Sequence, residues 1–215
     1  MNNRLIAVIA VLITAVCLIT ILKRQFGGRP KVNVQPFAEL GGLVADETTK
    51  VLGHSGRVVV LTVDTATYKV ATLDTLLAVF KKTLARKGNF TIQTVEKFRV
   101  PPTMFMALSS GALVPPGVEW PAGRFANILA AHENADAIVS FVGLPPLSPE
   151  NLGEVNPKKI KIVIVSHRDP DLSSLLKAGL IELAIVPRDQ TDSQPQAKSG
   201  AAREHARQNY EILTR

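Results

Sequence analysis

The run Arg57–Asp64 (RVVVLTVD) constrains this chain more than any other stretch. It is β-branched and nearly continuous, where a strand with one wet face would alternate apolar and polar residues. A strand of that kind is covered on both faces, so helices must lie on each side of its sheet. Three further runs read as strands: Asp136–Val142 (DAIVSFV), Lys159–Ser166 (KIKIVIVS) and Ile181–Val186 (IELAIV). Asn89–Lys97 (NFTIQTVEK) alternates instead, as a half-buried outer strand does.

Helical patterns fall before and between these runs. Phe37–Leu52 sets Leu40, Leu43, Val44 and Val51 on one face and stops at Gly53. Thr72–Lys87 spaces Leu73, Leu76, Leu77, Phe80 and Leu84 as a buried stripe, with Gly88 just beyond. Arg124–Asn134 is a short helix with Phe125, Ile128 and Leu129 inward. Asp169 is placed to cap a helix that begins at Pro170 and buries Leu172, Leu175, Leu176 and Leu180. Strand and helix alternate, which predicts an α/β domain with a five-stranded, mostly parallel, doubly wound sheet. The expected strand order is flavodoxin-like, 2-1-3-4-5. Two connections are unusual. Val100–Pro121 holds five prolines around an apolar piece, and Leu144–Pro157 is too short and Pro-rich for an ordinary crossover helix.

Upstream, Leu5–Leu22 is eighteen residues without a charge. A helix of that length spans roughly 27 Å, close to a hydrocarbon core. The run ends on Lys23-Arg24 with no small-residue exit, and Val16 precedes Cys17, so neither a cleaved signal peptide nor a lipoprotein signal fits well. The expected organisation is a transmembrane anchor over 1–24, a Gly- and Pro-bearing linker over 25–36, the α/β domain over 37–189 and a mobile tail over 190–215. Counting basic flanks literally places the domain in the cytoplasm, whereas a short basic N-terminal tail favours export. The expectation is a bacterial-type inner-membrane protein with its domain on the periplasmic side; the cytoplasmic side is the alternative.

The net charge of +7 suggests nucleic acid or an anionic membrane. Its distribution argues against nucleic acid. Arg4, Lys23, Arg24, Arg29 and Lys31 stand without any acid in residues 1–36, while 37–189 carries sixteen basic and fifteen acidic residues. The basic excess therefore marks a membrane boundary, and a nucleic-acid partner is not expected.

The stretch from Arg57 to Phe98 pairs a hydrophobic strand ending in Asp64 with a polar loop. A helix closing on Lys81-Lys82 and Lys87-Gly88 follows, then a Thr-rich strand. This resembles the opening unit of type I periplasmic solute-binding proteins, and DAIVSFVGLP is similar to the strand at which that family meets its ligand. The resemblance covers roughly residues 57–187. It implies a ligand-binding lobe in a transport or envelope assembly. That family closes two lobes on a ligand, whereas five strands make one lobe, so a clamp would need a second subunit.

Ligands of open parallel sheets bind beyond the C-terminal strand ends. Those ends supply Asp64, Thr65 and Thr67, suited to a hydroxylated ligand or a cation, and Ser166, His167 and Arg168, suited to a carboxylate or phosphate. Loop hydrogen bonding and helix capping explain the same residues without a ligand. Met104, Phe105, Met106 and Trp120 sit in the Pro-rich insertion and suit either a partner surface or core packing. Other chemistry finds little support. The turn after the first strand lacks glycine, and no phosphate-loop motif is present. His54, His132, His167 and His205 lack zinc-site spacing, so no metal is expected, nor any other cofactor. Ala107–Gly111 imitates a hydrolase elbow around Ser109, but flanking proline pairs leave no room for its strand and helix. The expectation is a non-catalytic module beside the lipid bilayer that binds a small ligand, a protein partner or a second copy of itself as a homo-oligomer. A hydrolase- or transferase-type enzyme using Asp64 and His167 is one alternative, and a structural subunit of a membrane complex is another.

Overall fold

A computed structural model describes residues 33–67, 69–101, 120, 123–145, 156, 160–166, 170–188 and 207–215. The apolar run 5–22, most of the Pro-rich insertion and most of the 144–157 link lie outside these residues. Among the described residues no helix is long and apolar enough to cross a membrane.

The elements in chain order are α1 (Gln35–Leu52), β1 (Ser55–Val63), α2 (Ala71–Ala85), β2 (Asn89–Phe98) and α3 (Arg124–Ala131). They continue with β3 (Ala137–Ser140), β4 (Lys161–Val165), α4 (Pro170–Lys177), β5 (Leu183–Pro187) and β6 (Tyr210–Thr214). The sheet order is β2-β1-β3-β4-β5-β6. β1 to β5 are parallel, so the expected 2-1-3-4-5 order holds. Five strands become six. β6 pairs antiparallel with β5, from Leu183 opposite Thr214 to Pro187 opposite Tyr210. This strand falls in the stretch expected to be a tail. Its apolar residues are too few to stand out by periodicity, but they suffice when an existing strand edge offers the ladder.

Strand alternation divides the core into two layers. Val58 and Val60 of β1, Val139 of β3, Val163 and Val165 of β4, and Leu183 and Ile185 of β5 pack with α1 and α2. Val59, Leu61, Ile138, Ile162, Ile164, Ala184 and Val186 face the opposite way, toward α3 and α4. Every described strand between the edges is thus buried on both sides, as its composition requires.

Handedness explains why α1 is needed. The β1-α2-β2 crossover moves one way along the sheet, and later crossovers move the other way. Right-handed connections therefore put α2 on one face and α3 and α4 on the other. α2 alone would leave its face half bare. α1 enters before β1 and covers Val58, Val60, Val139, Val163 and their neighbours. Pro36 opens the helix, where a missing N–H costs nothing. Its C-terminus is received by Lys161, whose Nζ donates to the Val51 carbonyl at 2.6 Å. α1 and α2 approach closely at Gly41, where even a Cβ would overlap the Leu76 carbonyl oxygen.

The entry to β4 is set by one buried side chain. Asn156 accepts the Ile160 N–H at 3.0 Å and donates to the Ile160 carbonyl at 2.9 Å. It satisfies both backbone groups where the ladder has not yet begun.

Candidate functional site

The C-terminal ends of β1, β3 and β4 open on one edge of the sheet. The strand order reverses between β1 and β3, which is where an open α/β sheet leaves a crevice.

The β1 end is ordered by its own polar groups. The Asp64 N–H donates to the Phe98 carbonyl of β2 at 2.8 Å, continuing the ladder one residue beyond the strand. Its Oδ1 accepts the Ala66 N–H at 3.1 Å, a local turn that holds the carboxylate at the strand tip. Thr65 Oγ1 donates to Asp74 Oδ1 at 3.2 Å, tying the loop to the first turn of α2. Asp64 and Thr65 are half-buried and Thr67 is exposed. Two residues back, the Thr62 hydroxyl is buried with no hydrogen-bond partner.

The β3 end lies in the DAIVSFVGLP stretch likened to a ligand-meeting strand, but Ser140 was not among the anticipated site residues. Ser140 is fully buried, and its hydroxyl donates to the Gly143 carbonyl while accepting the Val142 N–H at 3.3 Å. This turn cuts the strand short of the expected Val142. Gly143 takes φ +69°, a left-handed conformation that favours glycine. The signal was present in the sequence: a lone serine inside an apolar strand, with a glycine three residues on.

Ser166 stands at the β4 end, half-buried, with its N–H on the Ile185 carbonyl at 3.2 Å. A Cβ on Gly143 would lie 3.4 Å from its Oγ, so the β3 and β4 exits run side by side. Asp64 and Ser166 are held two strand spacings apart, roughly 10 Å, across β3. His167 and Arg168 lie outside the described residues, as do Met104, Phe105 and Met106.

Trp120 is half-buried beside the β2 end. Its ring centroid is 4.5 Å from that of Phe98 and 5.7 Å from that of Phe125, the latter edge-on. Arg124 lays its guanidinium 4.5 Å above the Phe98 ring and donates to the Lys97 carbonyl at 3.2 Å.

A carboxylate and hydroxyls around a crevice can exchange hydrogen bonds with a polyol. Among the described residues no three His, Cys, Asp or Glu side chains are grouped to hold a metal ion.

No family model matches the chain, and no curated protein matches it. Solved structures do. One is an ABC transporter solute-binding protein from Burkholderia graminis in complex with D-arabinose, at 18% identity and TM-score 0.51. It covers 82% of this chain and 59% of its own. A second is the XylFII molecule, at 15% identity and TM-score 0.54, covering 83% of this chain and 60% of its own. A third is the XylFII–LytSN complex, at 14% identity, TM-score 0.53 and 83% and 59% coverage. The chain thus spans about three fifths of the length of these proteins. The resemblance of its α/β lobe to the solute-binding proteins of ABC transporters is one of fold.

Proposed function

We propose that this chain is a non-catalytic binding module, anchored to a bacterial inner membrane by residues 1–24, with its α/β domain on the periplasmic side. Its ligand is a small hydroxylated solute of the sugar class, taken up at the ends of β1, β3 and β4. The observation that carries the reading is the placement of Asp64 and Thr65 at the switch between β1 and β3. A carboxylate held there by a local turn keeps lone pairs for vicinal hydroxyls, and Ser166 offers a second contact roughly 10 Å away. The D-arabinose complex among the structural neighbours supports the ligand class. A protein partner is the second reading, favoured by the neighbour solved as a XylFII–LytSN complex.

The test is a thermal melt of the full chain in detergent with D-arabinose, D-xylose, D-ribose, D-glucose and D-galactose in turn. A ligand at about 100 times its dissociation constant adds about 2.7 kcal/mol of stability. At least one sugar should raise the melting temperature, and Asp64→Ala should abolish that rise. No shift with any sugar, together with stable co-purification of a partner at fixed stoichiometry, would replace the solute reading with the partner one. Turnover lost in Asp64→Ala and His167→Ala would make the chain an enzyme. Protease protection of the domain in spheroplasts would put it in the cytoplasm.

A further inference from the structure

We infer that Ser140 is a positioning residue for the strand-end site, setting the direction of the β3 exit without touching the ligand. The inference rests on the binding reading above.

The β3 exit has three residues to place before the chain leaves the sheet. The Phe141 N–H still joins the ladder through the Leu61 carbonyl at 2.9 Å, and its ring packs edge-on against Phe80 at 5.4 Å on the α1/α2 face. Val142 packs into the opposite layer, with α3 and α4. Packing on both faces therefore fixes these two. Gly143 has no side chain to fix, and φ +69° is one of several conformations open to glycine. What selects it is the Ser140 hydroxyl, which closes on the Gly143 carbonyl and takes the Val142 N–H.

Both backbone groups and the hydroxyl are in a dry environment, since Ser140, Val142 and Gly143 are all buried. Removing the hydroxyl leaves a carbonyl and an N–H unpaired there, and the turn relieves this by opening toward water. Gly143 then shifts relative to Ser166, whose Oγ in the closed turn lies 3.4 Å from the position a Gly143 Cβ would take. Ser140 itself is fully buried and cannot meet a solute.

The experiment uses the full chain in detergent and three variants: Ser140→Ala, Ser140→Thr and Ile128→Val. The last trims a buried α3 residue that takes no part in the turn's hydrogen bonds and serves as a stability control. D-Arabinose is titrated by calorimetry, and amide hydrogen exchange is followed over 141–145. Ser140→Ala should weaken D-arabinose binding by about tenfold, about 1.4 kcal/mol. It should also speed exchange at 142–144 by about tenfold or more, by the same conversion. Ser140→Thr keeps the hydroxyl and should restore both, and Ile128→Val should change neither. Unchanged exchange in Ser140→Ala, or an affinity loss matched by Ile128→Val, would overturn the inference. If the wild-type chain binds no D-arabinose, the binding reading for that sugar fails by itself. The exchange comparison then decides whether Ser140 sets the turn.

Discussion

Tyr210 shows how a single side chain can tie stability to pH. It opens β6 and is buried on the α1 face of the sheet. Burial holds its phenol well above the usual value of 10.0, and the nearby Glu39 charge adds to the effect. The unfolded chain releases this proton near pH 10, while the folded chain keeps it. Stability from this group is therefore complete below pH 10 and declines as the pH rises further. Urea melts at pH 8, 9.5, 10.5 and 11 should show a decline in the wild-type chain that is distinctly shallower in Tyr210→Phe. Equal slopes would mean that lysine titration alone accounts for the loss. None of this was legible in the sequence, where Tyr210 stood in a polar tail with no periodic partner. Asp64 was legible, because a charged residue closing a β-branched run must lie at the strand's mouth. Ser140 was legible only as a signal, because a polar residue within a strand marks a bond without fixing what that bond positions.

At the scale of the element, α1 carries the sharpest consequence. Its helical character was plain from the spacing of Leu40, Leu43 and Val44, but its place was not, since periodicity gives a face and no neighbour. The adjacent glycines Gly41 and Gly42 record where it went. A methyl at Gly41 would overlap the Leu76 carbonyl and reach 3.2 Å from the Phe80 nitrogen, both backbone atoms of α2 that cannot turn aside. A methyl at Gly42 would find only Val79 Cγ1, at 3.9 Å. The two substitutions should thus have opposite signs. Gly41→Ala should cost about 3 kcal/mol as α1 is forced off α2. Gly42→Ala should gain about 0.5 kcal/mol from reduced freedom of the unfolded chain. Denaturant midpoints of the two variants check this directly. A Gly41→Ala variant as stable as the wild type would mean that α1 does not sit against α2. The parallel strands were legible for the opposite reason. A strand covered on both faces is apolar whichever helix covers it, so β1, β3, β4 and β5 could be read without knowing their neighbours.

For the whole α/β unit, the question is what its sixth strand contributes. β1 to β5 with α1 to α4 already form two covered layers, and β6 adds an antiparallel edge beyond β5. It is anchored in both layers, with Tyr210 and Ile212 on the α1/α2 side and Leu213 on the other. Polar contacts extend the attachment. Arg207 reaches the buried Glu47 of α1 at 3.3 Å, and Arg188 donates to the Tyr210 carbonyl at 3.3 Å. At the far end, the Arg215 guanidinium lies against Gly179, just beyond α4. The Arg207 guanidinium is more than half exposed, so its pairing with Glu47 is screened by solvent and the apolar residues carry most of the energy. One fully buried side chain and two half-buried ones amount to roughly 3–5 kcal/mol. Ending the chain at residue 206 should lower stability by about that amount. It also bares the β5 edge, whose Leu183, Ile185 and Val186 are apolar and fully buried while β6 is in place. An uncovered apolar edge recruits strands from other molecules. The shortened chain should therefore melt earlier and form concentration-dependent oligomers by light scattering. Adding a peptide of residues 207–215 should reverse the oligomerisation, because it can refill the antiparallel register of Leu183 to Pro187. A shortened chain that stays monomeric at unchanged stability would show that β6 only rests on the sheet. The five parallel strands would then be the complete folding unit, as the chain's strand pattern alone suggests.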